Sequence, residues 1–200
     1  MSITIFTATG CTRCKIVKSF MDDRKIDYVE KDMKAEGKDE FQSFYKANRN
    51  SIHRGPDGVE FPIITDGVEI RQSIRPSIAF LHAGKKLDGF FRVGTLHREW
   101  VDGINISGGN PEDADSFIQV LKYLKGNNMK LQIDTNGKNS EILQRVLDEG
   151  LVDVAIMNVL GHYYMLGTFL QFWKLEVRCK NSRYALEQCL NPTSHLPPLG

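Results

Sequence analysis

The 200-residue chain is short of most features that mark specialised classes of protein, and each shortage excludes something. An excess of one charge is missing: 26 Lys and Arg stand against 25 Asp and Glu, a formal +1, so no field of one sign attracts nucleic acid or an acidic membrane. Long hydrophobic runs are missing too. The apolar stretch 151–160 carries Asp153 and Asn158 and falls well short of the ~20 residues that a membrane span needs. Met1-Ser2-Ile3-Thr4-Ile5-Phe6 has no basic start followed by a long apolar run and enters a strand pattern at once, so a cytoplasmic protein is expected. Cysteine is scarce. Cys11 and Cys14 lie close together while Cys179 and Cys189 are isolated, which excludes a disulfide scaffold. What remains, 41% apolar and 26% charged, is the composition of a globular chain long enough for one large or two small domains. Disordered and collagen-like classes are excluded. In a reducing compartment the close cysteine pair points to chemistry.

Residues 3–8, with Ile3, Ile5 and Phe6 among threonines, read as a strand that Thr9-Gly10 turns out of. Ile16, Val17, Phe20 and Met21 then recur at helical spacing, which predicts a helix over 12–23 with Cys11 at its N-terminus. A strand over 27–31 and a helix over 39–48, with Phe41, Phe44 and Tyr45 on one face, complete a βαβ-type unit of parallel strands. After a polar loop over 49–58, Phe61-Pro62-Ile63-Ile64-Thr65, Asp66-Gly67 and Val68-Glu69-Ile70 read as a hairpin. Pro76 opens a short helix over 77–82 that Gly84 ends. The order is β-α-β-α-β-β-α.

Residues 85–99 show little periodicity, and a boundary is placed here, with domains over 1–88 and 89–190. The second half repeats strand, glycine loop and helix. A strand over 101–106 runs into Ser107-Gly108-Gly109-Asn110-Pro111, and Phe117, Ile118, Leu121 and Leu124 mark a helix closed by Gly126. A strand over 131–133 runs into Asp134-Thr135-Asn136-Gly137, and Ser140 is expected to cap a helix carrying Ile142, Leu143, Val146 and Leu147. A third strand over 152–159 follows. This rhythm predicts parallel strands with their loops on one edge, where α/β sheets place ligand sites. An apolar stretch over 163–173, a strand over 175–178 and a helix over 182–190 follow, then a tail over 191–200 with three prolines, expected to be disordered.

A thiol–disulfide site needs two cysteines near enough to close a ring, one of them held as thiolate. Cys11-Thr12-Arg13-Cys14 at a helix start supplies both: the unpaired N–H groups there lower the pKa of Cys11, and Cys14 lies one turn on as resolving thiol. Arg13 and Lys15 add positive charge. A zinc or iron–sulfur ligand pair is the alternative, but closed metal sites want four ligands and no second Cys-x-x-Cys exists. The five histidines, His53, His82, His97, His162 and His195, have no ligand spacing, so no metal site is expected. Strand, Thr9-Gly10-Cys11-Thr12-Arg13-Cys14, helix and the later Phe61-Pro62 before a hairpin resemble the glutaredoxin branch of the thioredoxin fold over roughly the first 85 to 90 residues. The resemblance implies Cys11 as attacking thiol, Cys14 as resolving thiol, and a cis Pro62 that with Phe61, Thr12 and Arg13 shapes the substrate groove. Gln72-Ser73-Ile74-Arg75 stands where many glutaredoxins carry the Gly-Gly pair of their glutathione site. Glutathione therefore stays open as reductant, and no cofactor is required. Arg71 and Arg75 could meet a substrate carboxylate, although exposed arginines are more often solvated.

Gly108-Gly109 after a strand lets backbone approach a ligand closely, and a tight strand-to-helix turn is the plainer reading. With the segments around 102–111, 134–137 and 150–158, this region resembles radical S-adenosylmethionine activating enzymes related to anaerobic ribonucleotide reductase activases. That resemblance implies cofactor contacts at Gly108, Gly109, Asn110 and Asn136, with Asn110 where the family usually has Glu. The family's three cluster cysteines have no counterpart in 85–100, and Cys179 and Cys189 are too late and too far apart to match. Without a cluster no electron can be delivered to split S-adenosylmethionine. The ~100 residues available also cannot close a barrel of roughly 200 to 250 residues. The expected architecture is α/β: a thioredoxin-like (glutaredoxin) domain followed by a partial (β/α) barrel-like domain. The second half is expected to dock on the first, or on a second copy as a homodimer, to cover its edge strands. The expected function is a dithiol oxidoreductase acting on a disulfide-containing protein or a glutathione mixed disulfide, with an anaerobic radical enzyme as a candidate partner by analogy. The alternative is a redox-sensing module whose second half binds S-adenosylmethionine or a nucleotide without turning it over.

Overall fold

The computed structural model describes residues 2–56, 58–96 and 99–157. The features expected over 163–200, with Cys179 and Cys189, lie outside the described residues, as does the end of the third strand. The elements are β1 (Ile3–Thr7), α1 (Thr12–Asp23), β2 (Tyr28–Asp32), α2 (Lys38–Ala47), β3 (Arg54–Gly55), β4 (Gly58–Val59), β5 (Ile63–Thr65), β6 (Ile70–Gln72) and α3 (Ile74–Ala83), then β7 (Phe91–Leu96), β8 (Glu99–Asn105), α4 (Ala114–Gly126), β9 (Gln132–Thr135), α5 (Ser140–Asp148) and β10 (Val154–Met157). Among the described residues no helix is long and apolar enough to cross a membrane.

The first sheet has the strand order β2-β1-β5-β6, with β2 parallel to β1 and β5 and β6 antiparallel. Central β1 is buried on both faces because apolar side chains occupy both of its alternating sets. Ile3 and Ile5 pack with Val17, Phe20 and Met21 of α1 and Ile78 of α3, while Phe6 packs with Phe41 of α2, Phe61 and Ile63. The sheet is thus sandwiched by helices, a thioredoxin-like arrangement within an α/β chain. Helix α1 has the bounds the periodicity predicts, buries Cys14, Val17, Phe20 and Met21, and ends where Ile26 donates its N–H back to the Met21 carbonyl at 2.9 Å.

The second sheet has the order β10-β9-β8-β7. Strands β8, β9 and β10 run parallel, as expected, but β7 was not foreseen: it runs antiparallel to β8, Phe91 pairing with Ile104 and Leu96 with Glu99. Other bounds shift for local reasons. Helix α3 starts at Ile74, so Pro76 is its third residue rather than its first, which is tolerated because first-turn N–H groups have no partner inside the helix. Ser140 begins α5 instead of capping it. Asn139 stands at the cap in the left-handed conformation (φ 58°), and its side-chain amide is used elsewhere.

The two halves share one hydrophobic cluster in which α4 lies against α3 and α1, joining Phe20 and Ile78 to Phe90, Phe117, Leu121 and Ile133. The Phe90 and Phe117 rings stack at 4.2 Å between centroids. Tyr123 ties the second half to α1: its hydroxyl donates to the Ile16 carbonyl at 3.0 Å and its ring meets the edge of Phe20 at 4.8 Å. The Arg24 guanidinium sits 3.7 Å over the Phe20 ring and 5.6 Å from that of Tyr123. Burial pushes the Tyr123 phenol above its ordinary pKa. Removing the ring should destabilise the whole chain, because one core would lose its link: Tyr123→Ala is expected to cost about 2–4 kcal/mol and Tyr123→Phe about 1 kcal/mol in urea unfolding. An unchanged midpoint for Tyr123→Ala would show that the halves do not depend on this contact.

Candidate functional site

Strand β1 is hydrogen-bonded on both sides and ends at Thr7, and the turn Ala8-Thr9-Gly10 leads from it into α1. Gly10 adopts φ 80°, a left-handed conformation in which a side chain would be strained. Cys11 is the N-cap of α1, and its sulfur accepts the N–H of Cys14 at 3.1 Å. Cys11 is half-buried at the surface, whereas Cys14 is 2% exposed and packs with Phe6, Phe41 and Phe61. The two sulfurs are joined as a disulfide with Cα atoms 5.3 Å apart. This asymmetry has a chemical consequence: only Cys11 can be reached from solvent, and an anion on its sulfur would face the N–H group of Cys14 and the positive end of a helix. The pair has the arrangement that thiol–disulfide exchange requires.

The Phe61–Pro62 peptide bond is cis, the geometry that the glutaredoxin resemblance implies. A groove of about 330 Å³ beside Cys11 is lined by Ala8, Cys11, Thr12, Arg13, Glu60 and Phe61. Cys11, Cys14, Thr12, Arg13, Phe61 and Pro62 therefore come together at one edge of the first sheet. Glu60 was not anticipated: its carboxylate accepts from Arg13 at 2.8 Å, closing one wall of the groove. With the two side chains 57% and 37% exposed, this pair is worth little energetically and can open for an incoming chain. The nearest sequence signal was the sign of Glu60 beside Phe61-Pro62, opposite to that of Arg13.

Gln72, also unforeseen, holds the other side. It is buried, accepts the His53 N–H at 2.8 Å and donates its amide to the carbonyls of His53 and Glu60, each at 2.9 Å. The residue that stands in the expected glutathione-site segment thus staples the 53–60 loop to β6. Arg71 does not face the groove as a free cation: it pairs with Glu69 at 2.9 Å and Asp88 at 2.8 Å and stacks on Phe80, while Arg75 donates to the Lys130 carbonyl at 3.2 Å. Lys85 also pairs with Glu69.

Gly108, Gly109, Asn110 and Asn136 lie apart from this site, in the loops after β8 and β9. A methyl group on Gly109 would fall inside the Phe90 ring, and one on Gly89 would overlap the Gly108 carbonyl, so close packing alone requires both glycines. The loops satisfy one another. The Asn139 amide donates to the carbonyls of Ile106 and Gly109, each at 2.9 Å, and Ser107 Oγ meets Thr135 Oγ1 at 3.0 Å and accepts the Asn136 N–H at 2.9 Å. The Asn110 side chain accepts from Glu112 N–H at 3.3 Å. Among the described residues no three His, Cys, Asp or Glu side chains are grouped to hold a metal ion. The residues present do not fit a radical cofactor: the donor set for a cluster is missing from 85–100.

No protein-family model matches the chain. A curated protein of Methanocaldococcus jannaschii, named as a glycyl-radical enzyme activating enzyme, is 33% identical over 61 residues, 30% of this chain and 25% of that protein. The chain thus spans about a quarter of the length of the curated relative it matches. It is also similar to the solved structure of NrdH-redoxin from Escherichia coli, a glutaredoxin-like protein described as having a thioredoxin-like activity profile. That likeness has 26% identity, covers 41% of this chain and 96% of NrdH-redoxin, and has a TM-score of 0.31. Each likeness covers less than half of this chain.

The Gln72 staple yields a direct test. Gln72→Ala would remove the side chain that bonds the His53 N–H and the carbonyls of His53 and Glu60, at about 1–3 kcal/mol for any group that water then cannot reach. Hydrogen exchange should speed up across 53–60 more than across α1. Uniform exchange across the two regions would show that Gln72 does not hold the loop.

Proposed function

We propose that the chain is a dithiol oxidoreductase that reduces disulfides of protein substrates through Cys11 and Cys14. The observation that carries this reading is the accessible Cys11 sulfur at the start of α1, over the N–H of a buried Cys14. In the reduced protein, Cys11 loses its proton to solvent and its thiolate attacks one substrate sulfur. The substrate S–S bond breaks, an Sγ–S bond to Cys11 forms, and the other substrate sulfur leaves as a thiolate that solvent protonates. Cys14 then gives up its proton and attacks Cys11 Sγ. The mixed disulfide breaks, the second substrate sulfur leaves as thiol, and the Cys11–Cys14 disulfide remains. Two electrons pass from the dithiol to the substrate. An external thiol reductant restores the dithiol, and glutathione stays a candidate for that role. Burial in the Phe6, Phe41 and Phe61 cluster keeps Cys14 from outside disulfides and reserves it for the mixed one at Cys11.

The groove of Ala8, Thr12, Arg13, Glu60 and Phe61 would receive a substrate segment beside Cys11. The similarity of part of the chain to a glycyl-radical activating enzyme makes an anaerobic radical enzyme a candidate partner, and a second copy of the chain remains another. No observation favours S-adenosylmethionine binding without turnover over this reading.

Titration of the whole protein against glutathione buffers, read by intact mass after thiol alkylation, tests the reading. The pair should close at a potential in the region of roughly −200 to −270 mV. Cys11→Ser should abolish disulfide reduction, while Cys14→Ser should accumulate mixed disulfides with substrate. Full activity in Cys11→Ser, or thiols that never pair, would overturn it.

A further inference from the structure

We propose that Asp32 is a positioning residue for Cys11, fixing through Thr9 the turn that holds the attacking sulfur over the start of α1. The inference rests on the dithiol reading and adds a residue to it.

Cys11 is reached from β1 by only three residues, Ala8, Thr9 and Gly10, so its sulfur is placed by whatever holds that turn. Inside the turn, Cys11 donates its N–H to the Ala8 carbonyl at 2.9 Å. The link to the rest of the fold is Asp32, at the end of the neighbouring strand. Its Oδ1 accepts the Thr9 N–H at 3.2 Å, and its Oδ2 accepts the Thr9 hydroxyl at 2.7 Å. The carboxylate is anchored in turn. Its Oδ1 also takes the Lys34 N–H at 2.8 Å, and the Asp32 carbonyl takes the N–H groups of Ala35 and Gly37 at 3.1 and 3.0 Å. Gly37 lies so near this backbone that a Cβ there would stand 2.8 Å from the Lys31 carbonyl carbon. Met33 ties the same corner to β1 by donating to the Thr7 carbonyl at 2.9 Å.

One carboxylate therefore joins the end of β2 to the loop that presents Cys11, and a charged acceptor makes these bonds stronger than neutral ones. The Lys34 amide, and then the Thr9 hydroxyl, hold its carboxyl below the ordinary aspartate pKa, so it is ionised at neutral pH. Two effects on Cys11 then oppose each other. As a negative charge Asp32 disfavours the thiolate, while as an acceptor it fixes the turn so that the Cys14 N–H stays aimed at the sulfur. Substitution separates them: Asp32→Asn removes the charge and keeps an oxygen for the Thr9 and Lys34 amides, whereas Asp32→Ala removes both.

The experiment is the rate of Cys11 alkylation by iodoacetamide in the reduced full-length protein across pH 5 to 9, resolved from Cys14 by peptide mass. Arg13 and Glu60, the charged groups lining the Cys11 groove, stay unchanged in every variant. Asp32→Ala should slow Cys11 at pH 7 by roughly fivefold or more and move its profile to higher pH, while Asp32→Asn should stay within about twofold of the parent. Thr9→Val, which removes only the hydroxyl, should fall between them and keeps the test open if Asp32→Ala fails to fold. Equal rates in the two Asp32 variants, or a faster Asp32→Ala, would overturn the proposal, because charge alone would then account for the change. Should Cys11 of the parent prove no more reactive than Cys14, the dithiol reading itself fails, whatever Asp32 does.

Discussion

The burial of β1 on both faces is the constraint on which the rest of the first half depends. A strand whose alternating sets are both apolar must be covered by helices on both sides, and its main-chain groups must be paired on both edges. Ile3 and Ile5 call for α1 and α3, Phe6 calls for α2, and the pairings with β2 and β5 complete the sheet. A strand held so completely cannot shift in register, so its C-terminal end is a fixed point. The redox pair is built at that point. Cys11 follows β1 by a turn too short to wander, and β5, the other neighbour of β1, begins just after the cis Phe61–Pro62 bond that borders the groove.

Features set by neighbours in the chain were legible in the residues. The apolar spacing of α1, the Asp66-Gly67 turn and the cysteine pair at a helix start all depend on contacts within a few positions, and the structure has each of them. Features that rest on distant partners were not legible. Glu60 meets Arg13 across 47 positions, and Gln72 meets His53 across 19, so nothing near either residue signals its role. Strand β7 was hidden for a related reason. Phe91-Arg92-Val93-Gly94-Thr95-Leu96 alternates only briefly before Gly94 breaks the pattern, and pairing with β8 supplies what local preference lacks. Ser140 was the better cap by residue type, yet Asn139 took the position because its amide satisfies two carbonyls 30 and 33 residues away.

The second half shows how a motif can keep its residues while its polar groups turn inward. Gly108 and Gly109 follow a strand and precede a helix, as in a ligand loop, but Gly109 is needed for the Phe90 ring and the neighbouring carbonyls are occupied by Asn139. Ser107, Thr135 and Asn136 bond to one another across the same edge. A ligand that displaced these bonds would have to replace them, since each polar group left unpaired carries a cost. Closed loops of this kind favour a rigid unit, and what the unit visibly does is cover α1 and α3 with α4.

That cover is placed unevenly along α1, and the unevenness suits a redox site. Phe20, Tyr123 and Arg24 grip the C-terminal half of the helix, where the Phe20 ring is fully buried and its face is occupied by a guanidinium. The Ile16 carbonyl, in the middle, receives the Tyr123 hydroxyl. At the N-terminal end the buried Cys14 packs with Phe6, Phe41 and Phe61, while Cys11 beside it has the cap, the turn from β1 and an exposed ion pair between Arg13 and Glu60. The exposed Arg13–Glu60 pair is worth about 1 kcal/mol or less, and a docking chain can exchange it for contacts of its own. A helix fixed at its far end holds the sulfur in place without covering it, which meets both demands on an attacking thiol: a defined position and an open approach.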